Sequence, residues 1–199
     1  GLLIIDSNSF LARIYGMSKS SYNVFMKKSL PYAHAKSLFE VDPSFFERIG
    51  VKVLLCDLDN TLIPYGSKEP TPELLAYRDS LSKKGIQMVV CSNGRGGRVL
   101  EVSQKAGLEA HGWMKKPFKG PLVGLMKEKG WKPSEVLLVG DQIQTDVLCG
   151  NRAGIRVLLT EPLGAYEPLW TKFNRLFDKP KRKKMFARHW IKEWKEIET

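Results

Sequence analysis

Along much of the chain, short apolar runs alternate with longer stretches whose apolar residues recur at helical spacing. Val51-Lys52-Val53-Leu54-Leu55-Cys56 is too short for a helix and rich in Val and Leu, as expected of a buried parallel strand. Four more runs read the same way: Ile86 to Cys91, a short one near Ala110 to Trp113, Val136 to Val139, and Ile155 to Leu159. Helices are predicted between them. One starts at Thr71-Pro72-Glu73, with a cap residue, a proline whose missing N–H costs nothing, and an acid near the positive helix end. It stops at Lys83-Lys84-Gly85. A second carries Val99, Val102 and Ala106 and runs to Gly107, and a third, around Leu122 to Lys129, is closed by Gly130. Strands and helices alternating at this spacing predict a three-layer α/β fold, a parallel sheet with helices on both faces.

On either side the pattern changes, dividing the chain into an arm (1–45), a core (46–165) and a tail (166–199). In the arm, Phe10, Leu11, Ile14 and Tyr15, then Tyr22, Phe25 and Met26 with Lys27 and Lys28 beside them, predict two short helices. Residues from Ala35 to Arg48 read as a connection into the first strand, closed by Gly50. In the tail, Trp170 to Leu176 predicts a helix, and Lys179-Pro180-Lys181-Arg182-Lys183-Lys184 is a dense cationic run. Phe186, Trp190, Trp194 and Ile197 then recur every three or four residues, with Arg188, Lys192 and Lys195 elsewhere around the turn. That spacing predicts a basic amphipathic helix. Both flanks admit two readings: apolar faces packed on the core, or peripheral contact with an anionic phospholipid surface.

Composition narrows the partners. A formal net charge of +11 favours an anionic one: nucleic acid, an acidic membrane surface or a phosphorylated substrate. Three widely spaced cysteines argue against a disulfide framework and for a reducing compartment. No apolar run approaches the roughly 18 residues of a membrane span, and Gly1 to Ile5 is too short for a signal-peptide core. The expectation is a cytoplasmic protein, peripheral on the inner membrane face. His34, His111 and His189 are scattered and suggest no zinc site.

The chemistry-bearing residues sit where the strands end. Asp57 and Asp59 stand two apart, so in extended chain they share one side. Ser92-Asn93-Gly94 follows the second strand, Lys116-Pro117 the third, and Gly140-Asp141 leads on to Asp146 after the fourth. In parallel sheets, ligand sites lie beyond the carboxyl ends of the strands. Asp57 and Asp141 suit a hard divalent cation, Mg²⁺ above all. Ser92, with the N–H groups of Asn93 and Gly94 at a helix start, suits an anion's oxygens, and Lys116 adds a positive charge. Together these groups describe phosphoryl transfer. Two rivals fall on spacing: Cys91 to Arg98 is one residue too long for a cysteine-phosphatase loop, and Gly94-Arg95-Gly96-Gly97-Arg98 lacks the Gly-Lys-Ser/Thr ending of a nucleotide-binding loop.

Asp57-Leu58-Asp59-Asn60-Thr61, Ser92-Asn93, Lys116-Pro117 and Gly140-Asp141 through Asp146 resemble the four ordered motifs of the haloacid dehalogenase-like (HAD) phosphatases, over roughly residues 51 to 160. The resemblance implies a Rossmann-like core and a covalent mechanism. Asp57 would be the nucleophile, and Asp59 the acid and then the base. Mg²⁺ would be held by Asp57, the backbone carbonyl of Asp59, and Asp141. Asp146 would stand behind these ligands or orient Lys116. Ser92 and Lys116 would bind the phosphoryl oxygens, with Thr61, Asn93 and Gly94 also at the substrate. The gaps after the first and second motifs hold no cap domain, which implies an open site. Asp-Asn-Thr-Leu-Ile-Pro-Tyr and Gly-Asp-Gln-x-x-Thr-Asp-Val-x-x-Gly-Asn are similar to the capless subclass IIIA branch containing YqeG-like proteins and mitochondrial phosphatidylglycerophosphatases. That likeness implies phosphatidylglycerophosphate as substrate. The alternatives are a soluble or nucleic-acid-end phosphomonoester, or a non-enzymatic RNA-associated protein of the same fold.

Overall fold

A computed structural model describes residues 16–164 and 169–198 together with Ala12, with only the backbone course for 169–177. The helix expected from Phe10, Leu11, Ile14 and Tyr15 lies outside the described residues. Ahead of the sheet comes α1 (Lys19–Lys28), capped by Ser18 and ending on Lys27 and Lys28. The chain then alternates: β1 (Ala33–Ala35), α2 (Pro43–Arg48), β2 (Val53–Cys56), α3 (Pro72–Lys83), β3 (Gln87–Cys91), α4 (Gly97–Lys105), β4 (Glu109–His111), α5 (Gly120–Lys129), β5 (Val136–Gly140), α6 (Leu148–Ala153), β6 (Arg156–Thr160) and α7 (Leu169–Ala187). The caps foreseen for α3 are present: the Thr71 hydroxyl accepts from the Leu74 N–H, and Pro72 opens the first turn.

The six strands form one sheet in the order β1-β6-β5-β2-β3-β4, every pairing parallel. β2 lies between β3 and β5, with Leu55 opposite Val89 on one side and Leu138 on the other. All four β2 side chains are buried, because both faces of the sheet are covered. Alternate residues serve alternate layers. Leu54 and Cys56 meet Phe45, Phe46, Leu74 and Val102, whereas Val53 and Leu55 meet Leu122, Met126, Tyr22 and Met185. From β2 the chain builds outward to β3 and β4, then crosses back to start β5 on the other side of β2. That reversal opens a crevice at the carboxyl ends of β2 and β5.

Two segments differ from expectation. Ala33-His34-Ala35, where no strand was predicted and a connection was expected from Ala35 onward, is an edge strand paired with β6. Three residues are too few to show a period, so only the partner strand reveals it. The second difference is the tail: the helix predicted through Ile197 ends at Ala187. His189 then takes a left-handed φ of 51°, and a single 3₁₀ turn spans Trp194–Glu196. The free edge of β1 captures this segment, with the His34 N–H donating to the Lys192 carbonyl at 2.9 Å and His34 bridging Glu193. Edge strands left open invite pairing, and this one is covered by its own chain. Trp194 is buried edge-on against Phe45, their ring centroids 5.6 Å apart. No helix among the described residues is long and apolar enough to cross a bilayer.

Candidate active site

The site is assembled at the crevice. The Asp57 N–H still donates to the Val139 carbonyl at 2.9 Å, so the sheet ladder fixes this residue before the chain leaves it. Asn60 then adopts a φ of 60°, a conformation asparagine tolerates better than most residues. Its side-chain oxygen accepts from the Tyr65 N–H at 3.1 Å, which folds the loop back. The Asp59 carboxylate accepts from the Gly66 N–H at 3.3 Å and is ion-paired to Arg98, which also donates to the Ser67 carbonyl at 2.8 Å.

From the other side of the crevice comes the β4–α5 loop. Asn93 clamps it: its amide donates to the Lys116 carbonyl at 2.9 Å and its oxygen accepts the Lys116 N–H at 2.7 Å. The Lys116–Pro117 peptide is cis. The Lys116 ammonium lies 2.8 Å from Asp57 and 2.7 Å from Asp146. Asp146 is presented by a π-helical turn, Ile143–Val147, a local widening often found at functional sites. Its second oxygen accepts from the Gln142 N–H at 3.1 Å and the Thr145 hydroxyl at 3.3 Å. A methyl group on Gly140 would overlap the Asp146 side chain, which is why this position carries no side chain. Asp141 is fully buried, and the Thr61 hydroxyl donates to it at 3.2 Å.

The charges do not cancel. Asp57, Asp141 and Asp146 are all buried, with one oxygen of each within 4.8 Å of the others, and among the described residues one lysine, Lys116, is ion-paired to Asp57 and Asp146. Burial pushes the Asp57 carboxyl up to about 7; Lys116 opposes the rise, and Asp146 and Asp141 add to it. Burial alone would depress Lys116, but Asp146 and Asp57 outweigh it and hold the ammonium above the ordinary lysine range. Three clustered, buried, all-oxygen donors with a deficit of positive charge fit a hard divalent cation. The expected ligands Asp57 and Asp141 belong to this cluster. The Asp59 carboxylate stands outside it, turned to Arg98, so only its backbone carbonyl remains available for the metal role the resemblance implied.

Above the cluster opens a pocket of about 260 Å³ whose lining includes Asp57, Asp59, Ser92, Asn93, Gly94 and Lys116. Thr61 and Asp141 are not part of that lining: Thr61 acts behind the surface, on Asp141. The Gly94 N–H, expected to face an anion, donates to the Ser92 hydroxyl at 3.0 Å, leaving the Ser92 O–H to donate into the pocket. Arg95, Arg98, Tyr65, Gln142 and Thr145 also line it, and the sequence reading passed over them. Two arginines bracketing a Gly-Gly pair at a helix start were the available signal for the first two. Cys56 and Cys91 are buried core residues, as expected. A larger cleft of about 720 Å³, between α1, α6 and the start of β6, has no carboxylate in its lining and lies at the opposite end of the sheet.

The chain is similar to several known proteins. A family model described as HAD-hydrolase-like matches residues 113–174. The probable phosphatase YqeG of Bacillus subtilis is 30% identical over 146 residues, 73% of this chain and 85% of that protein. The chloroplastic/mitochondrial phosphatidylglycerophosphate phosphatase 1 of Arabidopsis thaliana is 32% identical over 162 residues, 74% of this chain but only 46% of its own length. Among solved structures, the 3-deoxy-D-manno-octulosonate 8-phosphate phosphatase of Moraxella catarrhalis is 15% identical, covering 74% of this chain and 98% of its own, with a TM-score of 0.44. With a relative this similar over most of its length, and the four motifs gathered at one crevice, the chain belongs to the HAD-like phosphatase superfamily, in the capless branch that contains YqeG.

Proposed function

We propose that this protein is a Mg²⁺-dependent phosphomonoesterase that passes through an aspartyl-phosphate on Asp57 and acts on phosphatidylglycerophosphate. The observation that carries the reading is the Lys116 ammonium held between Asp57 and Asp146, beside Asp141, at the floor of an open pocket. An Asp57 oxygen attacks phosphorus, and the bond to the leaving oxygen breaks as Asp59 supplies its proton. Asp59 then takes a proton from the water that cleaves the acyl phosphate, releasing inorganic phosphate and freeing Asp57. Lys116 and the Ser92 hydroxyl hold non-reacting phosphoryl oxygens. Arg98 keeps Asp59 at the pocket wall. A Mg²⁺ ion bound by Asp57 and Asp141 would neutralise the phosphoryl charge and help align the phosphate.

The lipid substrate is supported by the phosphatidylglycerophosphate phosphatase named among its relatives, by the lack of an enclosing cap among the described residues, and by the +11 net charge, which suits an anionic surface at the cytoplasmic membrane face. The test is phosphate release from phosphatidylglycerophosphate in mixed micelles against a panel of soluble and nucleic-acid-end phosphomonoesters, each with Mg²⁺ and with chelator. The lipid should be turned over fastest and only with the metal. Faster turnover of a soluble substrate would reassign it. Hydrolysis of none, with salt-sensitive RNA binding instead, would overturn the enzymatic reading.

A further inference from the structure

We propose that the rim formed by Trp113, Leu100 and Arg95 is the face that rests on an anionic bilayer, so that the pocket takes a phosphorylated headgroup still seated in the membrane. This deepens the lipid-phosphatase reading and rests on it for the substrate, but the binding surface is a separate claim. Among the described residues of the flanks, Tyr22, Met26, Met185, Ile191 and Trp194 are buried in the core. The large hydrophobics that stay exposed among the described residues are Met17, Val24, Leu100, Trp113 and Phe118. Three of these gather at the catalytic end of the sheet. Leu100, in the first turn of α4, is 57% exposed; Trp113 and Phe118, both on the β4–α5 loop that carries Lys116, are 40% and 68% exposed.

Leu100 and Trp113 line one open concavity of about 480 Å³, whose remaining walls are Arg95 and glycines. Gly94 and Arg95 also line the catalytic pocket, so the two hollows share a wall. The Arg95 guanidinium lies 3.1 Å from the centre of the Trp113 ring, and the Lys115 ammonium 5.7 Å from it. Neither concavity-lining residue nor stacked cation here is acidic. An amphipathic ring flanked by cations is the chemistry of a membrane–water interface, where the ring sits at headgroup level and the cations meet lipid phosphates. The backbone also presents Trp113 at a cost. Its φ is 57°, strained for a bulky residue, and the turn is held by the Trp113 N–H on the Gly94 carbonyl at 3.0 Å and the Met114 N–H on the Ser92 carbonyl at 3.1 Å. Charge complementarity selects the occupant: an anionic lipid surface.

Full-length chain and the double variant Leu100→Glu/Trp113→Gly are compared, glycine being suited to the positive φ. The readouts are co-sedimentation with vesicles of phosphatidylcholine containing phosphatidylglycerol, or of phosphatidylcholine alone, and Mg²⁺-dependent hydrolysis of soluble p-nitrophenyl phosphate. Wild type should pellet with the anionic vesicles only. The variant should lose about tenfold in partitioning, of the order expected for two apolar side chains leaving the interface, with hydrolysis of the soluble ester unchanged. Equal pelleting of variant and wild type overturns the proposal, as does a variant that also fails on the soluble ester, which would make the rim part of the pocket. Wild type that ignores vesicles yet hydrolyses phosphatidylglycerophosphate in micelles overturns the bilayer face and leaves the substrate standing. Vesicle binding through the rim without lipid turnover does the reverse. Should the double variant not fold, Leu100→Glu on the exposed surface of α4 carries the same comparison.

Discussion

Two clusters of charged side chains lie at the same end of the sheet, and they are built on opposite principles. At β1 and β6 the His34 ring sits between Glu161 and Glu193, 2.8 Å from each. Arg182 binds Glu161 at 2.8 Å and the Thr160 carbonyl at 3.1 Å. Two carboxylates meet an arginine and an imidazole with both nitrogens engaged, so the group is close to balanced and ties the edge strand, α7 and the tail together. At β2 and β5, three buried carboxylates gather and, among the described residues, one lysine is ion-paired with two of them. A cluster that serves the fold is neutralised from within, because an unpaired buried charge is expensive. A cluster that serves chemistry is left short of positive charge, and the shortfall is what a cation and a phosphoryl transition state use. Arg182 also donates to the Asp141 carbonyl, so the balanced group braces the unbalanced one.

The contrast breaks most sharply at Asp57. Asp57→Asn should lower turnover by about a thousandfold or more, as loss of a nucleophile does, while circular dichroism and melting temperature stay at or above wild type because one unfavourable charge is gone. Retained turnover would remove Asp57 from its assigned role. Next comes Lys116→Met, which strips from Asp57 and Asp146 the one cation ion-paired with them among the described residues. Loss of stability by about 3–5 kcal/mol is expected from urea unfolding with chelator present, part of it restored by Mg²⁺; an unchanged midpoint would mean the carboxylates do not need the lysine.

A pH series on metal-free protein probes the same deficit. Folded Asp57 keeps its proton up to about 7, whereas unfolded it loses it near 3.8. The folded state therefore binds more protons across that window, and stability falls as pH rises through it. Thermal melts with chelator should slope downward there, and Mg²⁺ should flatten them; a rising slope would contradict the assignment. On the balanced side, His34→Ala should cost about 1–3 kcal/mol from the unpaired groups it leaves behind, with kcat on a soluble ester within a few fold of wild type. A collapse of kcat without a loss of stability would place His34 in the chemistry. The smallest effect belongs to Glu161, held below its ordinary 4.5 by the His34 hydrogen bond and by Arg182, against its partial burial. Its contribution is present above that ordinary value and fades as pH drops through the lowered one, so Glu161→Gln should blunt the acid limb of the melting curve slightly.

Much of this was legible in the residue order because the signals are local. A buried strand ending in Asp57, a capped helix at Thr71-Pro72, and polar groups after each strand are all set by neighbours in the chain. β1 was not legible, since Ala-His-Ala is a strand only when β6 lies beside it. The tail misled for a related reason. Apolar residues every three or four positions satisfy a helix, but the open edge of β1 offers the backbone better hydrogen bonds and Phe45 offers Trp194 a place to pack. Arg98 was dismissed with its glycine-rich loop because nothing nearby in sequence says that Asp59 will face it.

The sequence alone determined which chemistry was on offer: carboxylates, a hydroxyl, an amide and a lysine, each placed at the mouth of a parallel sheet by the alternation of side-chain direction along a strand. Only the tertiary structure decided how they divide the work. It gave Lys116 to Asp57 and Asp146 together, turned Asp59 to Arg98, set Thr61 behind Asp141, and left Trp113 at the rim. Burial and pairing are long-range quantities: the cost of a charge depends on which distant segments exclude water from it and which distant atoms answer it, and no local pattern records either.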